Sequence, residues 1–249
     1  MLIREKIYIK SLKRKRELLI YLPDDYDVSG KRYPVLFIND GQNAFIDEES
    51  YLGVSWGFIE SVQAMHIDII MVAIPCNYKP LKREDEYGPW IISKEIAAEF
   101  APNRKLGGEG KAYVSFLVKQ LKPYIDSRFP TDIHDYGIVG SSMGGLISFY
   151  AFLRYPRVFK RCAILSTAFW IYEKQFKNML RFSRIKNNSL YMDVGGREGD
   201  DRYIPSNETI KNAMQGKIRH FEYHYFAYDD HSEASWAKRV PYFLKMFYR

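Results

Sequence analysis

The sequence predicts an α/β protein with a mostly parallel sheet. Pro34–Ile38 and Ile67–Ile74 are nearly uninterrupted apolar runs, as expected of strands buried on both faces of a parallel sheet. Apolar patterns with a helical period lie between such runs. The length of 249 residues suits one undivided α/β domain. We therefore expect a single domain over residues 1–249.

The N-terminal segment predicts an antiparallel β-hairpin. Ile3–Ile9 alternates apolar and charged residues with a period of two, and Glu17–Leu22 is a denser apolar run. The basic cluster Lys13–Arg16 lies between them, so we expect it to be solvated. The net charge of +7 otherwise comes from scattered Lys and Arg residues, which argues against a nucleic-acid partner.

Strands and helices alternate from Pro34 onwards. Strands are expected at Pro34–Ile38, Ile67–Ile74, Gly137–Val139, Arg161–Ser166, Ser189–Val194 and Lys217–Tyr228. Helices are expected at Trp56–Met65, Lys111–Arg128, directly after Gly145, within 167–183, at Ile204–Gln215 and at Ser232–Tyr248. With the hairpin, this gives about eight strands with helices on both faces of the sheet. The segment Pro75–Trp90 is expected to be a loop, and loops this long are usually functional.

Composition and cysteine usage point to a soluble protein in a reducing compartment. No apolar run approaches the ~20 residues that a membrane span needs, and the N-terminus lacks the apolar core of a secretory signal. Cys76 and Cys162 fall at predicted core strands, where we expect small buried hydrophobes. We expect a cytoplasmic protein with a small-molecule partner and no membrane partner. The sequence leaves a homo-oligomer open.

The segment Gly137–Tyr150 carries a candidate nucleophile. An apolar strand meets Gly140-x-Ser142-x-Gly144, and a helical pattern follows. This is the spacing of a nucleophile elbow, in which a serine on a strained turn stands above the sheet. The flanking glycines fit because a side chain there would collide with the neighbouring element. The strand-turn-helix context and the additional Gly145 favour this interpretation of Ser142 over a chance match.

A serine nucleophile needs a base, and in α/β hydrolases the residues follow in the order serine, acid, histidine. His66 and His134 precede the elbow, whereas His220 and His224 lie within the last predicted strand. His231 alone combines the required chain order with a loop at the carboxyl edge of the sheet. We therefore expect His231 to be the base.

The acid is expected in the loop after the strand Ser189–Val194. That loop offers Glu198, Asp200 and Asp201, and spacing alone does not choose among them. Asp193 lies inside the strand and is less able to reach over the sheet edge.

The polar segment Asn39–Phe45 follows the first buried strand. Ligands of open α/β sheets bind at the carboxyl ends of the strands. In hydrolases with a nucleophile elbow, a loop in this place supplies a backbone N–H to the oxyanion hole. We therefore expect a functional loop here rather than a plain turn.

Five ordered segments together resemble the putative esterase family of α/β hydrolases. They are Asp40–Phe45, Gly140–Leu146, Ser166–Trp170, Asp193–Glu198 and His231–Trp236. The family includes esterase D (S-formylglutathione hydrolase), feruloyl and acetyl xylan esterases, enterochelin esterases and the antigen 85 mycolyltransferases. The match spans nearly the whole chain, and so the resemblance implies an α/β-hydrolase fold.

The resemblance also implies roles for individual residues. Ser142 corresponds to the nucleophile, His231 to the base and Glu198 to the acid, while the backbone N–H groups of Met143 and Gln42 correspond to the oxyanion donors. Many relatives have Asp at the acid position, and some siderophore esterases use a Ser-His pair. Asp200 and a dyad therefore stay open as alternatives.

Two segments are expected to face the substrate. Arg83–Trp90 resembles the Arg-x-x-Asp-Tyr-x-Pro segment of enterochelin-type members, with Glu86 and Gly88 as substitutions. From this segment and from the loop after the strand Arg161–Ser166, the expected substrate-binding residues are Arg83, Tyr87, Trp90, Phe169 and Trp170. An aromatic, partly basic cleft favours a soluble ester over a long-chain lipid.

The expected function is that of a serine carboxylesterase acting on a short-chain or aryl acyl ester of a polar, sugar-like alcohol. The alternatives are a siderophore trilactone esterase, an acyltransferase, and a binding protein on a catalytically inactive hydrolase scaffold. This chemistry needs no metal and no cofactor. The chain also has no Walker, G-x-G-x-x-G or H-E-x-x-H spacing.

Overall fold

One eight-stranded sheet organises the computed structural model, which describes residues 1–249. The strands are β1 Leu2–Ile9, β2 Arg14–Tyr21, β3 Tyr33–Asn39, β4 Ile70–Ile74, β5 Thr131–Ser141, β6 Phe159–Leu165, β7 Ser189–Arg197 and β8 His220–Asp230. Their order in the sheet is β1-β2-β4-β3-β5-β6-β7-β8. β1 and β2 pair antiparallel, β2 pairs antiparallel with β4, and all other neighbours are parallel. The predicted α/β-hydrolase fold with its N-terminal hairpin is confirmed.

Nine α-helices cover the sheet. They are α1 Phe58–Ala64, α2 Lys82–Tyr87, α3 Lys94–Phe100, α4 Gly110–Phe116, α5 Lys122–Arg128, α6 Ser142–Arg154, α7 Glu173–Arg181, α8 Tyr203–Met214 and α9 Glu233–Tyr248. A π-helical segment, Leu117–Leu121, joins α4 to α5, and Pro123, which has no N–H to donate, follows it. The predicted helix Lys111–Arg128 is therefore present, with a local widening.

The apolar side chains of the central strands enter two cores, one on each face of the sheet. Val35 and Phe37 of β3 belong to one buried cluster, and Leu36 and Ile38 belong to the other. This alternation follows from the two-residue period of a strand, and it explains why a parallel strand must be apolar throughout. Cys76 and Cys162 are buried and unpaired, as predicted. None of the helices combines the length and apolar character needed to cross a bilayer.

Two local predictions are wrong. Pro75–Trp90 is not a continuous loop, because it contains α2, and α3 follows it where no helix was expected. The cluster Lys13–Arg16 is not uniformly solvated, because Arg16 is buried. Its guanidinium Nη2 lies 2.6 Å from Glu86 Oε2. Glu86 is 70 positions away in the chain, so this ion pair leaves no local pattern in the sequence.

Candidate active site

Ser142 lies on a sharp turn between β5 and α6. Its backbone φ is +53°, in the left-handed region that costs a residue with a side chain roughly 1–2 kcal/mol. A Cβ atom on Gly140 would come within 2.4 Å of the Gly144 carbonyl carbon, and one on Gly145 would come within 2.4 Å of Thr167 Oγ1. The glycine spacing is therefore a steric requirement of the turn.

Glu198 and His231 form a hydrogen-bonded pair near this turn. His231 Nδ1 lies 2.5 Å from Glu198 Oε2, which leaves Nε2 as the ring nitrogen available to exchange a proton. Glu198 Oε1 accepts hydrogen bonds from Ser166 Oγ, at 2.6 Å, and from the backbone N–H of Gly195. The glutamate side chain is almost fully buried. Its carboxylate is thus fixed by donors on three sides.

None of the other candidate acids is hydrogen-bonded to His231. Asp200 receives hydrogen bonds from Arg202 Nε and Nη2, and Arg202 also binds Glu99. Asp201 is exposed. Asp193 is fully buried and pairs with Arg239 Nη1 at 2.9 Å, and burial raises the pKa of Asp193 to about 6. Among the loop carboxylates considered, only Glu198 contacts His231.

The Ser142 hydroxyl makes no hydrogen bond to His231. Its polar contact is the hydroxyl of Tyr203, with the two oxygens 3.4 Å apart. The Tyr203 ring also packs against the His231 imidazole, with 4.6 Å between centroids. Burial raises the pKa of Tyr203, so this hydroxyl keeps its proton at neutral pH. Loose contacts between catalytic groups are common in unliganded enzymes.

Two backbone N–H groups near Ser142 are free to bind an anion. Met143 is the second residue of α6, and the first N–H groups of a helix have no partner within it. Gln42 lies in a short 3₁₀ turn, Gly41–Asn43, and its N–H has no acceptor within the protein. The Gln42 side-chain Oε1 accepts the N–H of Cys76 at 3.2 Å, which holds the turn against the end of β4.

Asp40 anchors the same turn from the other side. Arg83 donates two hydrogen bonds to its carboxylate, at 2.7 and 2.8 Å, and the Asp40 N–H donates to Tyr87 Oη at 2.8 Å. A Cβ atom on Gly144 would lie 2.6 Å from Asp40 Oδ2. The elbow and the turn at Gln42 are therefore packed directly against each other.

Several predicted substrate-facing residues belong to the core instead. Tyr87 and Phe169 have no exposed surface, so the expectation that they contact substrate is wrong. Trp90 is only partly buried, but its ring packs on Tyr150 and Phe176 rather than on the cleft. These aromatic rings fill space between helices, where burying them is more favourable than leaving them in water.

The remaining two predicted residues are Arg83 and Trp170. Arg83 lines the cleft, although its guanidinium is already paired with Asp40. Trp170 does not line the cleft. It contacts the Tyr203 ring, with 6.2 Å between centroids, and lies under the guanidinium of Arg202.

The cleft in front of Ser142 has a volume of about 890 Å³. Its walls come mainly from residues 40–52 and 76–84, and most of the residues that line it are polar or charged. Sequence reasoning missed Glu233, a buried cleft carboxyl whose pKa is raised by burial. Asn43 Nδ2 lies 3.4 Å from Glu233 Oε1. Sequence reasoning also missed Tyr203. Its only signal in the sequence is its position directly after the loop that carries Glu198.

The structure contains no group of three or more His, Cys, Asp or Glu side chains arranged to hold a metal ion. A nucleophile on a strained turn, a carboxylate-oriented imidazole and two N–H donors are the parts needed for acyl transfer.

Comparison with known proteins gives the chain a family context. Residues 9–246 match the family described as "Putative esterase". The uncharacterized protein YbbA of Bacillus subtilis (strain 168) is 26% identical over 204 residues, which cover 80% of this chain and 76% of YbbA.

Solved structures share the fold at low sequence identity. An IroE-like serine hydrolase from Shewanella oneidensis has a TM-score of 0.77 at 18% identity, covering 97% of this chain and 79% of its own. A ferulic acid esterase has a TM-score of 0.69 at 16% identity, covering 99% of each chain. The enterobactin esterase FES from Shigella flexneri has a TM-score of 0.70 at 14% identity, covering 98% of this chain and 58% of its own.

Proposed function

The chain belongs to the putative esterase family, and from that membership we propose that it is a serine carboxylesterase. Ser142 is the nucleophile, His231 the general base and Glu198 the acid that orients it. The observation that carries this proposal is the Glu198–His231 contact beside a serine with a positive φ. Neither Asp200 nor Asp193 competes for the imidazole, because each is paired with an arginine.

In this mechanism the Ser142 oxygen attacks the ester carbonyl while His231 Nε2 takes its proton. The N–H groups of Met143 and Gln42 hold the negative oxygen that forms, and each such donor typically contributes ~10²- to 10³-fold to the rate. His231 then gives the proton to the leaving alcohol, and an acyl-Ser142 ester remains. A water molecule, deprotonated by the same imidazole, attacks this ester, so that the carboxylic acid leaves and Ser142 regains its proton.

For the substrate, we propose a short-chain or aryl acyl ester of a polar alcohol such as a sugar. Most residues that line the cleft are polar or charged and they interrupt its apolar patches, whereas a long acyl chain would need a continuous apolar surface. The similarity to a ferulic acid esterase agrees with an aryl acyl group.

A siderophore trilactone is the second candidate. The cleft of about 890 Å³ lies in the upper part of the usual range for ligand sites, so it has room for a substrate much larger than a simple acetyl ester. The similarity to an enterobactin esterase agrees with this candidate. Acyl transfer to an added alcohol would be a further outcome of the same acyl-enzyme.

The test combines active-site labelling with turnover. We expect a fluorophosphonate to label the wild type at Ser142, and Ser142→Ala and His231→Ala each to lose at least about 10³-fold in kcat on p-nitrophenyl acetate. Ser127→Ala, an exposed serine of α5, is the matched control and should behave as wild type. Circular dichroism should show all of them folded. Activity of Ser142→Ala within tenfold of wild type would contradict the proposal.

A panel of acetyl, butyryl, feruloyl, thioester and trilactone substrates, with and without an added alcohol, then identifies the substrate class. A steady rise of kcat/KM from acetyl to palmitoyl esters would contradict the polar-ester proposal while leaving the serine mechanism intact.

A further inference from the structure

A second cavity, here called the basic groove, adjoins the active-site cleft. It has a volume of about 480 Å³, and its charged lining residues are Arg14, Lys15, Arg16, Glu17, Lys79 and Lys82. Cys76, Asn77, Tyr78 and Lys79 line both cavities, so the groove and the cleft share a wall. The antiparallel pairing of β2 with β4 explains this position, because it brings the start of β2 to the edge of the sheet where β4 ends.

The arginines of the basic groove are neutralised by carboxylates. Arg16 Nη2 lies 2.6 Å from Glu86 Oε2, and Arg14 Nη1 lies 3.2 Å from the same oxygen. Arg14 Nη2 also contacts Glu109. Two guanidinium groups thus face two carboxylates, so they stabilise the wall of the groove but add little net charge to it.

The lysines at its rim are different. Lys15 and Lys79 are exposed, and neither has a carboxylate within ion-pair distance. Lys82 is bound by Asp85 at 2.8 Å. Glu17 is the one acidic lining residue. Its Oε2 lies 4.0 Å from Nη1 of Arg4, so part of its negative charge is balanced outside the groove. Positive charge from Lys15 and Lys79 therefore predominates in the groove, and a cavity in which one sign of charge predominates attracts ligands of the other.

We infer that the basic groove binds a negatively charged group of the same ester whose carbonyl lies at Ser142. This inference rests on the esterase function proposed above and narrows its substrate class to esters that bear a carboxylate or phosphate. Lys15 and Lys79 supply the charge. Tyr78, which is 70% exposed and lines both cavities, offers an aromatic face to the part of the substrate between the ester and the anion.

The experiment compares matched anionic and neutral esters. One series consists of p-nitrophenyl monoesters of dicarboxylic acids of increasing length, which place the charge on the acyl side. Another consists of acetyl esters of hydroxyaryl carboxylic acids, which place it on the alcohol side. Each has its methyl ester as the neutral counterpart. Wild type is compared with Lys15→Ala/Lys79→Ala, and with Lys186→Ala, an exposed lysine before β7 at the opposite edge of the sheet.

We expect wild type to prefer the anionic member of at least one series. The ratio of kcat/KM for anionic over neutral ester should fall about tenfold in the double variant, since each lysine contributes on the order of a few-fold. It should not change in Lys186→Ala. The wild-type ratio should also fall as ionic strength rises. Equal ratios in all three proteins would overturn the inference, even if Ser142-dependent hydrolysis persists.

A binding measurement distinguishes failure of this inference from failure of the proposed function. In Ser142→Ala, calorimetry with the intact anionic ester should show affinity that the two lysine substitutions reduce. If wild type hydrolyses none of the esters but this lysine-dependent binding is present, the proposed function fails and the groove assignment stands. If the lysine substitutions leave the affinity unchanged, the groove assignment fails.

Discussion

The two sides of the active-site cleft are built differently. On the catalytic side, Ser142, Ser166 and Glu198 are buried, and hydrogen bonds fix the carboxylate. On the opposite side, here called the recognition side for its proposed role, Tyr51 and Tyr78 expose about two thirds of their surface. Acyl transfer requires the reacting atoms to be held within a fraction of an ångström, which buried and hydrogen-bonded side chains provide. Under the proposed function, the buried side would set the rate of the chemical step and the exposed side would set substrate preference.

Replacing the acid should give the largest effect on the catalytic side after loss of Ser142 or His231 itself. We expect Glu198→Gln to lower kcat by about 10²- to 10⁴-fold with little change in KM, because the carboxylate matters most when imidazolium forms. Asp200→Asn is the matched control on the same loop. Its kcat should change less than about threefold, because Asp200 is hydrogen-bonded to Arg202 and not to His231. Steady-state kinetics on p-nitrophenyl acetate measure both. The opposite ranking would move the acid to Asp200, and two mild effects would indicate a Ser-His dyad.

Tyr203 tests whether the catalytic side extends beyond the triad. Tyr203→Phe removes the one polar contact of the Ser142 hydroxyl but keeps the ring that packs on His231. We expect kcat to change by about three- to tenfold in either direction with KM nearly constant, the scale of one modest hydrogen bond. The sign is informative: a rise would mean that the contact holds the hydroxyl away from His231, and a fall would mean that it supports the reactive geometry.

The control for this prediction is Tyr203→Leu, which removes the ring as well. Its kcat should lie below that of Tyr203→Phe, because the imidazole then loses a packing partner. Identical kinetics of wild type and Tyr203→Phe would show that the 3.4 Å contact has no role in turnover.

The smallest effect is expected on the recognition side. Tyr51→Ala removes an exposed cleft residue whose side chain makes no hydrogen bond, so the midpoint of thermal unfolding should stay within about 2 °C of wild type. We expect KM to rise about two- to fivefold for an aryl ester and to stay unchanged for an acetyl ester, with kcat constant for both. If Tyr51→Ala lowers kcat more than it lowers kcat/KM for either ester, then this recognition-side residue also affects the chemical step, and the two sides do not have separate roles.

The same contrast explains what the sequence could reveal. The elbow was predictable because its glycine spacing follows in part from a local steric rule: a Cβ atom on Gly140 would meet the backbone of Gly144, four residues later. His231 followed from chain order and from its place after the last strand. Glu198 could be separated from Asp200 only through the family resemblance, since the distinction depends on Arg202 and Ser166 being brought close in three dimensions.

The recognition side was harder to predict for a related reason. Aromatic residues near a strand end suit a ligand site and a core equally well, so the sequence could not separate buried Phe169 from exposed Tyr78. The difference arises from packing: Phe169 meets the ring of Phe149 on α6, whereas Tyr78 lies in an exposed loop before α2. The burial of Arg16 was missed because Glu86 approaches it only after the sheet has formed.

The buried side chain of Arg239 has a consequence for how the protein loses activity. It joins α9 to Asp229, Asp193 and Ser166, and Ser166 in turn holds Glu198. His231 lies only two residues before the start of α9. A partial opening that detaches this last helix would therefore release the base and loosen the acid together, while the centre of the sheet stays folded. Loss of turnover thus becomes an early reporter of C-terminal unfolding, ahead of amide exchange in β3 to β5.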